Sequence, residues 1–382
     1  MLDVTVVGIG NAGNQIAALA QQKLNITTIA INSSDKDLET IPETVIKRVI
    51  SNPEGSEKGA GKDRTKAKSY LKSSIMNIMD EEIRDRISSM DVVFVVSSTG
   101  GGTGSGAAPI VAELLTSMFP DVITIVVGIL PVNQEALSAH VNTLQYLDEI
   151  FTQVTDLKYM LYDNDKYSNI ASYRMMQKIN EEIVKDIDVL RCTYNYTTPF
   201  DSIDSADMKR VLSFKGRLMV ARLDEIKERD VDNKSIAQLL LGAIKNNAHA
   251  ELNRDKKITS SGVIANLSES MVEDFDNHVP EICDYMGSPV HDFTHTCVTG
   301  DRKMPNRVFY IASGLSKPDD KISIISDRVN EIEEKQKIEE DENAIDTIDV
   351  ARLVNTVASK DVKKENEKQD VDLAALFNKF GV

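Results

Sequence analysis

The chain has 382 residues, which is long enough for two domains and some additional length. Its net charge of −16 argues against direct, non-specific binding to DNA or to an anionic membrane, because both need clustered Lys and Arg. Hydrophobic residues make up 41% of the chain, so we expect a soluble globular protein with an adequate core.

Cysteine usage and the distribution of apolar residues predict where the protein works. The three cysteines, Cys192, Cys283 and Cys297, are too few and too scattered for a disulfide framework. No apolar run reaches the roughly 18 residues that a membrane span needs, and no basic leader precedes the first strand. We therefore expect a cytoplasmic protein without membrane partners.

The first segment combines a short apolar strand, Leu2–Val7, with the sequence Gly-Ile-Gly-Asn-Ala-Gly and a helix that begins near Ile16. A strand, Gly-x-Gly-x-x-Gly and a helix together place a diphosphate at a helix N-terminus. Dinucleotide enzymes share this pattern, but they usually carry an acidic residue roughly twenty positions later. The second predicted strand, Thr27–Ile31, ends in Asn-Ser-Ser with Asp35 nearby, so a dinucleotide site remains an alternative.

A turn-rich stretch over residues 52–61 ends in Gly59-Ala60-Gly61-Lys62. It contains Gly-Lys but no Ser or Thr after the lysine, so it is not a Walker A loop. Two interpretations remain: a loop that faces a terminal phosphate, or an exposed turn that precedes the helix predicted over residues 63–87.

The most informative stretch is the glycine-rich loop over residues 98–106, between the β-branched run Val92–Val96 and a helix predicted over Ala107–Met118. Without Cβ atoms, backbone N–H groups can converge on an anion at the positive end of a helix dipole. A flexible linker would sit between polar segments instead. The loop therefore predicts a phosphate cradle.

Further strands are predicted over residues 122–127 and 157–162, followed by a long helix over residues 171–194. Strands that alternate with helices predict an α/β fold with a parallel sheet covered on both faces. Ligands of such sheets bind at the carboxyl ends of the strands, where the glycine loops fall.

The second half of the chain predicts a smaller α+β domain, with strands over residues 217–223, 259–267 and 307–314. Asp204 and Asp207 begin a short amphipathic helix in this half. From spacing alone they are either a capping pair or carboxylates that orient a water for phosphoryl transfer. His291 and His295 would lie about 13 Å apart in an extended chain, so we predict no metal site held by the protein.

The loop Gly-Gly-Gly-Thr-Gly-Ser-Gly resembles the signature loop of the tubulin/FtsZ superfamily. Asn14-Gln15 and residues 32–38 are also similar to that family, most closely to the TubZ-like tubulins of plasmids and phages. The resemblance implies a Rossmann-like nucleotide domain over residues 1–170, a central helix over 171–200, an activation domain over 201–317, a C-terminal helix over 318–340 and a flexible tail over 341–382.

The same resemblance implies GTP with Mg²⁺ as the bound nucleotide, and Asp204 and Asp207 as catalytic residues that act on the nucleotide of a neighbouring subunit. The implied GTP-binding residues are Gly10, Asn11, Ala12, Gly13, Asn14, Gln15, Asn32, Ser33, Lys36, Gly59, Ala60, Gly61, Lys62, Gly100, Gly101, Gly102, Thr103, Gly104, Ser105, Pro131, Asn164 and Asn180. Ser34, Met176 and Ser202 depart from the family pattern, which keeps a nucleotide-dependent filament protein without hydrolysis as a second alternative.

The implied role is a head-to-tail homopolymer that positions plasmid or phage DNA through a DNA-binding adaptor rather than by direct contact with nucleic acid. In the tail, Leu373, Leu376, Phe377 and Phe380 share one helical face, with Asp372 as a cap. We expect this face to dock into the groove of an adaptor or a neighbouring subunit; docking on its own domain is the alternative.

Overall fold

The computed structural model of the protein describes residues 1–51, 59–192, 204–253, 257–287, 289, 292–299, 304–343 and 372–382. One ten-stranded sheet runs through the chain in the order β3-β2-β1-β4-β5-β6-β7-β10-β8-β9. The strands are β1 Val4–Ile9, β2 Thr28–Asn32, β3 Ile46–Val49, β4 Val92–Ser98, β5 Ile123–Leu130, β6 Lys158–Asp163, β7 Gly216–Leu223, β8 Ser260–Leu267, β9 Asp292–Thr299 and β10 Arg307–Leu315.

Helices cover both faces of the first half of this sheet and one face of its second half. They are α1 Gly10–Leu24, α2 Asp35–Glu39, α3 Arg64–Ile78, α4 Glu81–Ser88, α5 Thr103–Met118, α6 Leu137–Gln153, α7 Ser172–Cys192, α8 Ser205–Ser213, α9 Ile236–Asn246, α10 Glu269–Met286, α11 Asp319–Asn343 and α12 Leu373–Lys379. None of the helices in these described ranges is long and apolar enough to cross a membrane.

The first six strands are all parallel to their neighbours. The central strand β4 is buried over its first six residues, as expected for a Val-rich strand with helices on both sides. Alternate residues of the strands enter two separate hydrophobic clusters, one on each face. The predicted α/β fold is therefore confirmed.

The second half of the chain extends the same sheet instead of forming a separate one. β7 pairs with β6 in parallel at only two positions, Lys158 with Gly216 and Tyr159 with Arg217. β10 is antiparallel to β7 and β8, and β9 lies at the edge, parallel to β8. α9 and α10 cover one face through a third hydrophobic cluster. The domain boundaries stay a prediction.

Two helix boundaries differ from the sequence-based expectation. The single helix predicted over residues 63–87 is wrong: α3 ends at Ile78, and Asp80 caps α4 by accepting a hydrogen bond from the Ile83 N–H at 3.0 Å. The apolar spacing continues across this break, which is why periodicity alone missed it. The helix expected over residues 107–118 begins earlier, at Thr103, inside the glycine loop.

A buried ionic network joins the two halves around Asp186 of α7. Its carboxylate accepts hydrogen bonds from the Tyr162 hydroxyl at 2.6 Å and from Arg222 Nε at 2.6 Å. His249 Nε2 lies 3.0 Å from the same carboxylate. Burial alone would raise the pKa of Asp186, but the hydrogen bond from His249 and the charge of Arg222 hold this pKa below its ordinary value.

Replacing Asp186 with Asn is expected to lower the free energy of unfolding by about 1.5–3 kcal/mol, because it removes one charged hydrogen-bond partner of the buried Arg222, which keeps Glu182 and Asp224. Urea unfolding measures this loss. Asp188→Asn, at a half-exposed carboxylate on the same helix that pairs with Arg191 at 3.3 Å and accepts from the Cys192 thiol at 3.6 Å, is the control and should change little.

The depressed pKa of Asp186 also gives a pH dependence. Its stabilisation is fully present above the unfolded-state pKa of about 3.9 and is lost as the pH falls through the lower folded-state pKa. The stability difference between wild type and Asp186→Asn should therefore shrink in acid. A difference that stays constant down to pH 2 would contradict this assignment.

Candidate functional site

A cavity of about 460 Å³ lies at the carboxyl ends of β1, β2 and β4. Its walls are almost entirely turns and helix starts. The lining residues are Ile9, Gly10, Asn11, Ala12, Asn32, Ser33, Ser34, Asp37, Gly59, Ala60, Gly61, Ser98, Gly101, Gly102, Thr103 and Gly104. Three separately predicted glycine loops thus meet in one place, at the sheet edge that the parallel topology indicates.

Two helices begin at this cavity, α1 at Gly10 and α5 at Thr103, and neither has an acidic residue in its first turn. The first N–H groups of a helix have no partner within the helix and carry the positive end of its dipole. Two such ends around one cavity favour a polyanion.

Glycine is required where the first loop packs against the sheet. A Cβ on Gly13 would lie 2.2 Å from the Val96 carbonyl oxygen, and one on Gly8 would lie 2.2 Å from the Gly13 carbonyl oxygen. Gly13 therefore brings α1 close to the strands and is not part of the cavity lining.

The three loops also bond to one another. The Ser33 and Thr103 hydroxyls are 2.6 Å apart, and the Gly59 N–H donates to the Ser33 carbonyl at 2.9 Å. The Asn32 amide donates to Asp37 at 3.1 Å. The cavity wall is thus held together before any ligand arrives, which lowers the cost of ordering it on binding.

Asn142 of α6 supports the glycine loop through hydrogen bonds to its backbone. The sequence analysis did not identify this residue. Its Nδ2 donates to the carbonyls of Lys62, Gly100 and Gly101 at 3.1, 3.2 and 3.3 Å. Arg64 adds a hydrogen bond to the Ser105 carbonyl at 3.0 Å. Neither residue carries a motif, because each is brought to the loop only by tertiary packing.

Replacing Asn142 with Ala is expected to cost about 1–3 kcal/mol of stability, since three carbonyls lose their shared donor. Thermal unfolding measures the loss. Asn246→Ala removes a similar hydrogen bond, to the Gly242 carbonyl at 2.9 Å, from an exposed position, so it should leave the melting temperature nearly unchanged. Equal shifts for the two variants would contradict the supporting role of Asn142.

Ten predicted nucleotide residues are not among those that line the cavity: Gly13, Asn14, Gln15, Lys36, Lys62, Gly100, Ser105, Pro131, Asn164 and Asn180. Asn14 is buried, and neither atom of its amide has a hydrogen-bond partner. A buried amide without a partner is costly, so a ligand that supplies one fits this position.

Pro131 and Asn164 follow β5 and β6, whose ends are paired. The Asn133 N–H donates to Asp165 at 2.9 Å and so joins the two loops. α7, which carries Asn180, packs against the turn that begins at Asn164 and against α1. The end of β5, the turn that begins at Asn164 and α7 are therefore neighbours, and none of the three predicted residues lines the cavity.

Lys321 of α11 fixes the Asn164 turn from the other side. Its ammonium lies 2.9 Å from Asp163 and 2.8 Å from Asp165. Burial raises the pKa of the Asp163 carboxyl even though Lys321 opposes the shift. α11 thus helps to hold the turn that begins at Asn164.

Asp204 and Asp207 lie far from this cavity. Asp204 caps α8 by accepting hydrogen bonds from the N–H groups of Ala206 and Asp207 at 2.7 and 3.0 Å, and the Asp207 carboxylate accepts from the Asp204 N–H at 3.1 Å. The pair therefore forms a capping box, as one interpretation of its spacing predicted. Asp201 and Ser202 lie outside the described residues.

The position of α8 follows from Lys209, whose ammonium lies 2.5 Å from Asp91. Asp91 directly precedes β4, whereas the cavity lies beyond the other end of that strand. A strand of seven residues is about 20 Å long at ~3.3 Å per residue. The acidic pair and the cavity thus lie at opposite ends of the same parallel sheet.

Glycine turns that lead into two helix N-termini at one edge of a parallel sheet define an α/β nucleotide-binding protein. Residues 3–172 match the model described as "Tubulin/FtsZ family, GTPase domain", so this part of the chain is similar to that domain.

The chain is also similar to curated tubulin-like proteins. The tubulin-like protein CetZ of Pyrococcus horikoshii is 27% identical over 249 residues, which are 63% of this chain and 66% of that protein. The alignment thus spans just under two thirds of that relative's length. The tubulin-like protein TubZ of Clostridium botulinum C phage is 23% identical over 381 residues and aligns with 96% of each chain.

Among solved structures, a GTPγS-bound protofilament of CetZ2 from Haloferax volcanii matches with a TM-score of 0.70 at 19% identity, covering 87% of this chain and all of that one. At this identity the match shows the fold alone. It covers the second half of the chain as well as the nucleotide domain.

Proposed function

We propose that the protein binds GTP in the glycine-lined cavity, assembles head to tail, and hydrolyses GTP where two subunits meet. The observation that carries this proposal is the placement of the cavity and the Asp204–Asp207 pair at opposite ends of one sheet. A residue at one end cannot serve a ligand at the other within a single chain, but it can serve the neighbour's ligand when copies stack along the strands.

The cavity suits the phosphates of GTP. The N-termini of α1 and α5 would bind them, and the ~460 Å³ volume leaves the base to extend beyond the lining toward Asn164 and Asn180. A side-chain amide offers both a donor and an acceptor to the edge of guanine.

The donor set also fits Mg²⁺, which prefers oxygen ligands and usually takes one or two carboxylates together with phosphates. Ser33, Thr103 and Asp37 supply such oxygens in the lining. When bound, Mg²⁺ would neutralise charge that develops on the terminal phosphates.

Hydrolysis would depend on Asp204 or Asp207 of the adjoining subunit. Asp204 is exposed and Asp207 is half-buried, so each keeps oxygens available beside its capping bond. A carboxylate that orients the attacking water suits phosphoryl transfer, which is mostly positioning and charge stabilisation. One subunit would bind and orient the triphosphate in its cavity, and the adjoining subunit would place the attacking water.

The biological role that we propose is the positioning of plasmid or phage DNA in the cytoplasm, through a DNA-binding adaptor. The alignment with phage TubZ over 96% of both chains supports this role, and the net charge of −16 disfavours direct DNA binding.

Light scattering of the purified protein on addition of GTP and Mg²⁺, with phosphate release followed in parallel, tests the proposal. We expect scattering and phosphate release to rise together above a threshold protein concentration. Scattering without phosphate would support the non-hydrolysing filament protein. Neither signal, with NAD binding instead, would support the dinucleotide enzyme.

A further inference from the structure

The C-terminal helix α12 docks on the nucleotide domain of its own chain. Leu376, Phe377 and Phe380 are 5%, 2% and 5% exposed and belong to the same hydrophobic cluster as Leu114 and Leu115 of α5. The face that the sequence predicted to bind a partner is thus already covered.

Charged side chains hold the last four residues of the docked segment, residues 379–382. Lys68 and Lys72 of α3 donate to the carbonyl of Phe380 at 2.9 Å and to the terminal Val382 oxygen at 3.0 Å. Lys379 of α12 pairs with Glu113 of α5 at 2.8 Å. The tail therefore bridges α3 and α5 at once.

A chain of ion pairs and one hydrogen bond connects this docking site to the glycine loop. Lys68 also pairs with Glu149 of α6 at 2.7 Å, and Glu149 pairs with Arg64 at 2.6 Å. Arg64 then donates to the Ser105 carbonyl, inside the glycine loop, at 3.0 Å. Each step is a direct contact between side chains or with the loop backbone.

The two bridged helices each begin at a phosphate loop. α3 follows Gly59–Lys62, and α5 follows the glycine loop at Gly102. These loops already touch, since a Cβ on Gly102 would lie 2.7 Å from the Lys62 Cα. Fixing the bodies of α3 and α5 relative to each other therefore fixes the spacing of the loops at their N-termini.

We propose that docking of α12 and binding of nucleotide are positively coupled: the docked tail holds the two phosphate loops at their binding distance, and a protein that captures the tail weakens nucleotide binding. This coupling rests on the proposed function, because it assumes that the cavity takes a guanine nucleotide. It assigns the α3–α5 surface as the receptor for the short amphipathic helix α12.

The test uses the full chain with Phe377→Ser and Phe380→Ser together, titrated with a fluorescent GTP analogue at a protein concentration below assembly. We expect nucleotide affinity to fall about five-fold or more, as for ordinary coupling between two sites. A synthetic peptide of residues 372–382 should restore it. By linkage, the peptide should bind the variant more tightly with nucleotide present, by the same factor.

Asn378→Ser, at an exposed position of the same helix, is the matched control and should bind nucleotide like the wild type. Equal nucleotide affinity of the double variant and the wild type would overturn the coupling. Weak binding by the variant that the peptide does not restore would overturn it too. If the wild type itself fails to bind the analogue, the proposed function fails instead.

Discussion

Asp204→Asn and Asp207→Asn are each expected to lower assembly-dependent GTP turnover by about 100-fold or more, the usual loss when a water-orienting carboxylate is removed. Asn still accepts the capping hydrogen bonds that Asp204 and Asp207 accept in α8. The substitution therefore removes charge and keeps the helix. Phosphate release measured under assembly conditions gives the loss, and nucleotide affinity of the dilute protein should stay unchanged.

The matched control for these two variants is Ser235→Ala, which removes the cap of α9 in the same half of the chain. It should cost about 1 kcal/mol of stability and leave turnover intact. GTP turnover that stays fast and concentration-dependent in both Asp variants would show that neither Asp204 nor Asp207 is catalytic.

A mixing experiment separates action on a neighbour from action within one chain. One variant lacks the carboxylates, and the other cannot bind nucleotide. Each should be inactive alone, whereas their mixture should recover part of the turnover, because an intact cavity can meet an intact acidic pair from another chain. No recovery in a mixture that still assembles would place the acidic pair outside the shared site.

Gly102→Ala is the nucleotide-binding variant and the second large effect that we expect. The added Cβ would lie within 2.7–2.9 Å of backbone atoms of Lys62 and Asp63. The loop Gly59–Lys62 therefore has to move away from the glycine loop. We expect the affinity for GTP to fall at least about ten-fold, because both loops contribute to one cavity. Titration with a fluorescent GTP analogue measures the change.

Gly242→Ala in α9 is the control for this substitution, since a Cβ there meets nothing within 4 Å. It should stabilise its helix by up to about 1 kcal/mol and leave binding unchanged. Wild-type affinity in Gly102→Ala would mean that the two loops do not act together on the ligand.

The parts of this protein that could be predicted from sequence are those with a local cause. A Val-rich run, a glycine loop and an apolar helix face each follow from short-range chemistry, so the sequence predicts β4, the glycine loop and α7 close to their observed positions. β9 was not predicted, because its short polar sequence becomes a strand only by pairing with β8.

The residues that hold the glycine loop in place could not be predicted from sequence, because only tertiary packing brings them to it. Asn142 and Arg64 hold the glycine loop from helices that the fold brings beside it. The docking of α12 depends on Lys68, Lys72 and Glu113, which lie more than two hundred residues before it in the chain. The sequence predicts that this apolar face docks on a partner, with its own chain as the alternative, and the structure shows the alternative.

The separation of glycine cradle and acidic pair along one sheet has a consequence for any polymer of this chain. A row of such molecules would have two different ends, one with the open cavity and the other with the Asp204–Asp207 pair. If the pair acts on the neighbour's nucleotide as proposed, no pair would reach the cavity at the first end, and the triphosphate there would persist until another molecule is added. The rates at which subunits are added and lost would then differ between the two ends. The polymer would therefore be polar without any other component.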